Sequence, residues 1–141
     1  MTIDERLAEI CAEHGLLEGP LLPILHAVQA EFGCVDAEAE RTIAKALNLS
    51  RAEVHGVVSF YHDFRPAPDS RPEVQLCRAE ACQARGVEAL VSAAEAAAGE
   101  RVRVSTVYCL GLCSAGPAAR LGDRLHARLD EAALVALVRS A

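Results

Sequence analysis

At 141 residues the chain has room for one ordinary domain or two small packed modules. Hydrophobic residues at 52% and charged residues at 24% exclude a disordered chain, and 4% aromatics with no Trp leave Ala, Leu and Val to build the core. The net charge of −6 belongs to the first half, with six basic and twelve acidic residues in Met1 to Arg71 and eight of each in Pro72 to Ala141, which excludes a nucleic-acid-binding face.

The acidic half reads as a solvated helical surface, with a docking face for a basic partner as the sharper alternative. Met1 to Glu9 carries Asp4, Glu5, Arg6 and Glu9 and lacks the basic start and apolar stretch of a secretory signal. The apolar run Ala132 to Val138 is seven residues long, too short to cross a bilayer. The chain therefore reads as cytoplasmic with no membrane insertion, and six cysteines there read as metal ligands or free thiols rather than disulfides.

In chain order, a first helix is predicted from about Asp4 to Ala12, ending near Gly15. Pro20 opens a second, in which Leu21, Leu22, Leu25, Val28 and Phe32 recur at helical spacing until Gly33. Asp36 caps a third with Ile43, Ala46 and Leu47, stopped by Asn48. Ser50-Arg51-Ala52-Glu53 has capping-box spacing and starts a fourth. Arg65-Pro66-Ala67-Pro68-Asp69-Ser70-Arg71-Pro72 contains three prolines, which forbid helix and disfavour an internal strand.

Beyond that stretch the pattern changes. Glu73 to Leu76 is a short strand, Ala84 to Ala98 a helix, and Val102 to Val107 a β-branched strand. Ala118 to Leu121 and Arg124 to Ala127 form a hairpin, with Gly122-Asp123 suited to a II′ turn. Asp130 caps a last helix that buries Leu134, Leu137 and Val138. The fold class is thus α/β: residues 1–65 a small helical bundle for partner docking, 66–72 a Pro-rich linker, and 73–141 a thioredoxin-type domain built on a right-handed βαβ unit.

Chemistry is concentrated in the second part. Cys77 and Cys82 are spaced C-x4-C, Cys109 and Cys113 C-x3-C, and 26 residues separate the pairs. Each pair begins where a strand finishes, and parallel strands joined by a crossover end on the same side of a sheet. Topology therefore brings four thiols to one edge. A 2Fe–2S cluster takes four thiolates, two per iron; structural zinc also accepts four; and redox thiols stay open, although no C-x-x-C occurs. Gly111 and Gly116 would let backbone amides approach the sulfurs, while Arg78 and Arg85 either offset the charge of four thiolates or decorate the surface. Gly116-Pro117 is a candidate cis bond.

Elsewhere Cys11 and Cys34 read as buried apolar residues, and His55 and His62, seven apart, as packing or surface histidines. The run His55 to Phe64 places Phe60, Tyr61 and Phe64 close together, either to pack the bundle or to anchor a partner. No G-x-G-x-x-G, P-loop or Ser/His/Asp arrangement is present, so no catalytic residue is assigned.

His55-Gly56-Val57-Val58-Ser59-Phe60-Tyr61, Cys77-x4-Cys82, Cys109-Leu110-Gly111-Leu112-Cys113 and Gly116-Pro117-Ala118 together resemble the small 2Fe–2S subunit of the NADH-oxidising arm of respiratory complex I and its relatives. Cys77-Arg78-Ala79-Glu80-Ala81-Cys82-Gln83 looks most like the gamma subunit of cytoplasmic NAD-dependent formate dehydrogenases; NAD-reducing hydrogenases carry a third relative. The resemblance implies a thioredoxin-like domain with one 2Fe–2S cluster on Cys77, Cys82, Cys109 and Cys113. It also implies docking on a flavin subunit that carries FMN, NAD and another cluster and, through it, connection to a molybdenum- or tungsten-containing formate dehydrogenase subunit.

Overall fold

Helix starts in the first half of the chain are written as caps. In the computed structural model, which describes residues 1–141, Thr2 accepts from the Glu5 amide while the Glu5 carboxylate returns to the Thr2 amide, and helix α1 runs Ile3–His14. Pro20 opens α2, Leu21–Phe32, which closes on Gly33 in the left-handed region. Asp36 accepts from the Ala39 amide to start α3, Ala37–Leu47, ended by left-handed Asn48. Ser50 and Glu53 complete a second capping box on α4, Arg51–Phe60.

These helices enclose Leu7, Ile10, Ile24, Leu25, Val28, Ile43 and Val54, with Cys11 among them as a small apolar residue. The chain stays with the bundle beyond α4. Gln29 accepts from the Arg65 amide at 2.8 Å and donates to the Asp63 carbonyl, the Val35 amide reaches the Arg65 carbonyl, and Phe64 is buried against the His26 ring. The aromatic run thus divides: Phe64 belongs to the core, whereas Phe60 and Tyr61 are exposed.

Two compact units result, Met1–Ser70 and Arg71–Ala141, divided inside the proline-containing stretch. The second is a four-stranded sheet in the order β2-β1-β3-β4. Strand β1, Glu73–Cys77, pairs in parallel with β2, Arg103–Val107, and antiparallel with β3, Ala119–Leu121; β4, Arg124–His126, closes the hairpin. Gly122 has positive φ and Asp123 does not, the II′ pattern.

The single helix expected over Ala84 to Ala98 is not what forms. A five-residue helix α5, Glu80–Ala84, precedes Gly86 at φ 90°, then a 3₁₀ turn over Val87–Leu90 leads into α6, Val91–Ala98. Left-handed Gly86 breaks the run that alanine propensity alone would have continued. Helix α7, Glu131–Ser140, is capped by Asp130 and packs beside α6 over Val74, Leu76, Val102 and Ala119. Arg101 donates to the Val138 and Ala141 carbonyls and holds the end of α7. No helix is long and apolar enough to cross a membrane.

Candidate metal centre

The parallel register of β1 and β2 sets Cys77 opposite Val107, so both strands finish at the same edge of the sheet. Cys77 is fixed there from two sides. Its amide donates to the Ala118 carbonyl at 2.9 Å, and the next amide, that of Arg78, donates to the Val107 carbonyl at 2.9 Å. The chain then turns into α5, which carries Cys82 back toward Cys77; both are 2% exposed, with the two thiols close enough to perturb each other.

The second pair is built differently. Past Val107 the chain leaves the sheet through Tyr108 and turns at Cys109, whose φ is 111°, a conformation costing a non-glycine residue on the order of 1–3 kcal/mol. Gly111, at φ 77°, completes the turn and donates its amide to Cys109 Sγ at 3.3 Å. Cys113 begins a 3₁₀ turn over Cys113–Ala115, which returns its Sγ to 3.5 Å from that of Cys109. Both thiols are exposed. From Val104 to Ala119 there is no charged residue.

Electrostatics follow from these positions. The Gly111 amide and then the Cys113 thiol hold the Cys109 thiol below its ordinary pKa, because both stabilise a thiolate. The same bond seen from Cys113 pushes that thiol up. Cys82 is pushed up by burial first and then by the neighbouring Cys77 thiol, and Cys113 adds to the effect from the other loop. Thiols from both loops therefore share one field.

Gly116 shows why glycine is required. Its φ of −69° suits any residue, but a Cβ there would stand 2.9 Å from Cys82 Sγ and 3.3 Å from the Arg85 side chain. Gly116 lies flat against the buried thiol, followed by a cis Gly116-Pro117 bond. Close approach at Gly116 is expected from the sequence, whereas the unusual φ at Cys109 has no sign there.

Arg78 is not the free counter-charge that its place beside Cys77 suggests. Its guanidinium grips the Glu88 carboxylate through Nε at 2.8 Å and Nη2 at 2.6 Å, a pairing ten residues apart that no local motif announces. In the helical unit, His55 pairs with Glu40 at 3.0 Å, and Cys34 is buried at the edge of that core.

The donor set suits an iron–sulfur group: only thiols, an amide aimed at one sulfur, and a glycine that leaves space beside another. The sulfurs stand as two pairs, Cys77 with Cys82 and Cys109 with Cys113. Two thiolates per iron is the demand of a dinuclear cluster.

Comparison with known proteins agrees. The family model for thioredoxin-like [2Fe-2S] ferredoxins matches residues 7–141. A subunit of the NADH-quinone oxidoreductase of Rhizobium meliloti (strain 1021) is 32% identical over 149 aligned positions, covering 99% of this chain and 89% of that protein. The HndA subunit of the NADP-reducing hydrogenase of Solidesulfovibrio fructosivorans is 28% identical, over 77% of this chain and 69% of the relative. Among solved structures, the H2-reduced NAD+-reducing [NiFe]-hydrogenase superposes with a TM-score of 0.65 at 29% identity, over 82% of this chain. The chain spans only 21% of that much longer hydrogenase chain. Matched along almost its whole length, thiol edge and helical extension alike, the chain belongs to the thioredoxin-like [2Fe-2S] ferredoxin family.

Proposed function

We propose that the chain is the electron-transfer subunit of an NAD-linked oxidoreductase complex, holding one 2Fe–2S cluster on Cys77, Cys82, Cys109 and Cys113. The observation that supports this reading is that β1 and β2 finish in register at one edge of the sheet and each leads into a pair of cysteines, with an amide already directed at one sulfur. When bound, the cluster supplies a one-electron carrier. The protein's own residues do the rest. Cys77 and Cys82 anchor the group in the core, Cys109 and Cys113 keep one side of it open, and the Gly111 amide stabilises negative charge on sulfur.

Hydride chemistry has no residues in this chain and is assigned to FMN and NAD on a neighbouring flavin subunit. The helical unit is the docking element for that partner. Ala52, Gly56 and Phe60 follow one another at four-residue spacing on an exposed face of α4, where Phe60 is 74% exposed and a Cβ on Gly56 would meet nothing. The parent complex is an NAD-dependent formate dehydrogenase, with a molybdenum- or tungsten-containing subunit beyond the flavin subunit; the segment Cys77-Arg78-Ala79-Glu80-Ala81-Cys82-Gln83 favours it. NADH:quinone oxidoreductase and NAD-reducing hydrogenase are the alternatives that the named relatives bring.

The test is anaerobic purification, followed by iron, sulfide and zinc assays and EPR after dithionite reduction. About two irons and two sulfides per chain, with a signal lost in each of the four Cys→Ser variants, is the expected result. One zinc with no sulfide would leave a structural module instead. Formate-dependent NAD+ reduction by the co-purified complex assigns the parent enzyme; NADH oxidation by quinone without formate activity would reassign it.

A further inference from the structure

Arg78 follows the buried ligand Cys77 and is held at three points. Its amide donates to Val107, at the end of the strand that leads to Cys109. Its carbonyl accepts from Gln83 Nε2 at 2.8 Å, which ties the residue after Cys82 back to the residue after Cys77. Its guanidinium closes a two-pronged pair on Glu88, in the 3₁₀ turn beyond α5. Arg78 thus links β1, β2, α5 and the 3₁₀ turn, four segments around one edge of the site.

A lone arginine beside a cluster would act as a cation. Here the carboxylate that grips it cancels most of its field at a distance, and what remains is a mechanical tie. The geometry favours this view over an ordinary surface ion pair. Two parallel N–H···O bonds fix orientation as well as distance, and the backbone on both sides of the guanidinium's stem is already pinned. The pair is partly exposed, 34% for Arg78 and 46% for Glu88, so its effect is modest rather than decisive.

We propose that Arg78 and Glu88 form a positioning pair that holds the Cys77–Cys82 loop in ligand geometry, with the charge of Arg78 at the site offset by Glu88. The proposal rests on the cluster reading, and wild-type iron and sulfide content, measured first, tests that reading separately.

The experiment uses the full-length, cluster-loaded chain and reads two quantities: the rate of iron release to a chelator, and the midpoint potential by EPR-monitored titration. Arg78→Gln and Glu88→Gln should each release iron about two- to five-fold faster, the size expected for a partly exposed pair. Their potentials should move in opposite directions, down when the cation is removed and up when the anion is removed. The double variant R78Q/E88Q should return to near the wild-type potential while still releasing iron fast, because the charges leave together but the tie is gone. The exchange R78E/E88R should recover slow release. The proposal is overturned if the double variant releases iron at the wild-type rate. It is equally overturned if E88Q changes neither quantity while R78Q alone lowers the potential, which would make Arg78 an independent cation.

Discussion

The two units of this chain obey local rules to different degrees. In the helical unit, three of four helix starts are closed by a side chain on a backbone amide, and two of the helices end on left-handed Gly33 and Asn48. In the sheet unit, neither α5 nor α6 has a side-chain cap, Cys109 stands at φ 111°, and Gly116 is pressed against a thiol. Sequences that specify a fold keep local and global preferences consistent, and departures gather where function is performed. Here two of them, at Cys109 and Gly116, involve the proposed ligands directly, while the bundle remains regular.

The largest way to break this contrast is Gly116→Ala. The added methyl has no space: Cys82 Sγ would stand 2.9 Å away and the Cys82 backbone 3.5 Å away, and Cys82 is buried. Overpacking of this kind costs about 1–3 kcal/mol, and the displaced group is itself a proposed ligand. Iron content per chain should fall well below the wild-type value, and the thermal midpoint of the cluster-free chain should drop. Full iron content in G116A would show that the loop yields freely and that the close approach is incidental.

A glycine in the other unit should behave in the opposite way. Gly56 lies in the interior of α4, exposed, with an ordinary helical φ and nothing within 4 Å of where a methyl would stand. Gly56→Ala should stabilise the isolated chain by about 0.5–1 kcal/mol, since alanine loses less backbone entropy in a helix. It should leave iron content unchanged. The same variant sharpens the docking proposal, because a partner that packs closely on α4 would be held off by the new methyl. Stabilisation of the free chain together with weaker co-purification of the flavin subunit is the expected pair of results; unchanged co-purification would move the docking site off this face.

The contrast also explains what could be read in advance. Helix boundaries in the bundle were legible because Asp36, Asn48 and the Ser50–Glu53 box act on their own neighbours. Thr2 and Glu5 carried the same signal for α1, which starts one residue before the expected Asp4. The shared edge at which β1 and β2 finish was legible from parallel-strand topology. The helix between them was not, because Gly86 could be tolerated within a helix or could break it, and only packing decided for the break. The grip of Arg78 on Glu88 and the left-handed Cys109 depend on contacts between separate segments, which spacing does not encode.

The smallest effect concerns acid. Glu53 is held below the ordinary carboxylate range by the Ser50 amide and then by its hydroxyl, and Glu88 is held low by Arg78. In both, the folded value is the lower one, so each contribution is complete above the unfolded pKa of about 4.3 and is lost as pH falls through the folded value. The two carboxylates therefore weaken their units over the same acidic window but with different consequences. Glu53 closes a box that its own helix provides, and a glutamine keeps that box while removing the titration. Glu53→Gln should flatten the fall in stability of the cluster-free chain below about pH 4.3 and leave its thermal midpoint at neutral pH close to that of the wild type. Glu88→Gln should flatten the same fall and, in the loaded chain, also speed iron release at neutral pH. Identical behaviour of the two variants at neutral pH would mean that the sheet unit tolerates loss of its long-range tie as easily as the bundle tolerates a changed cap.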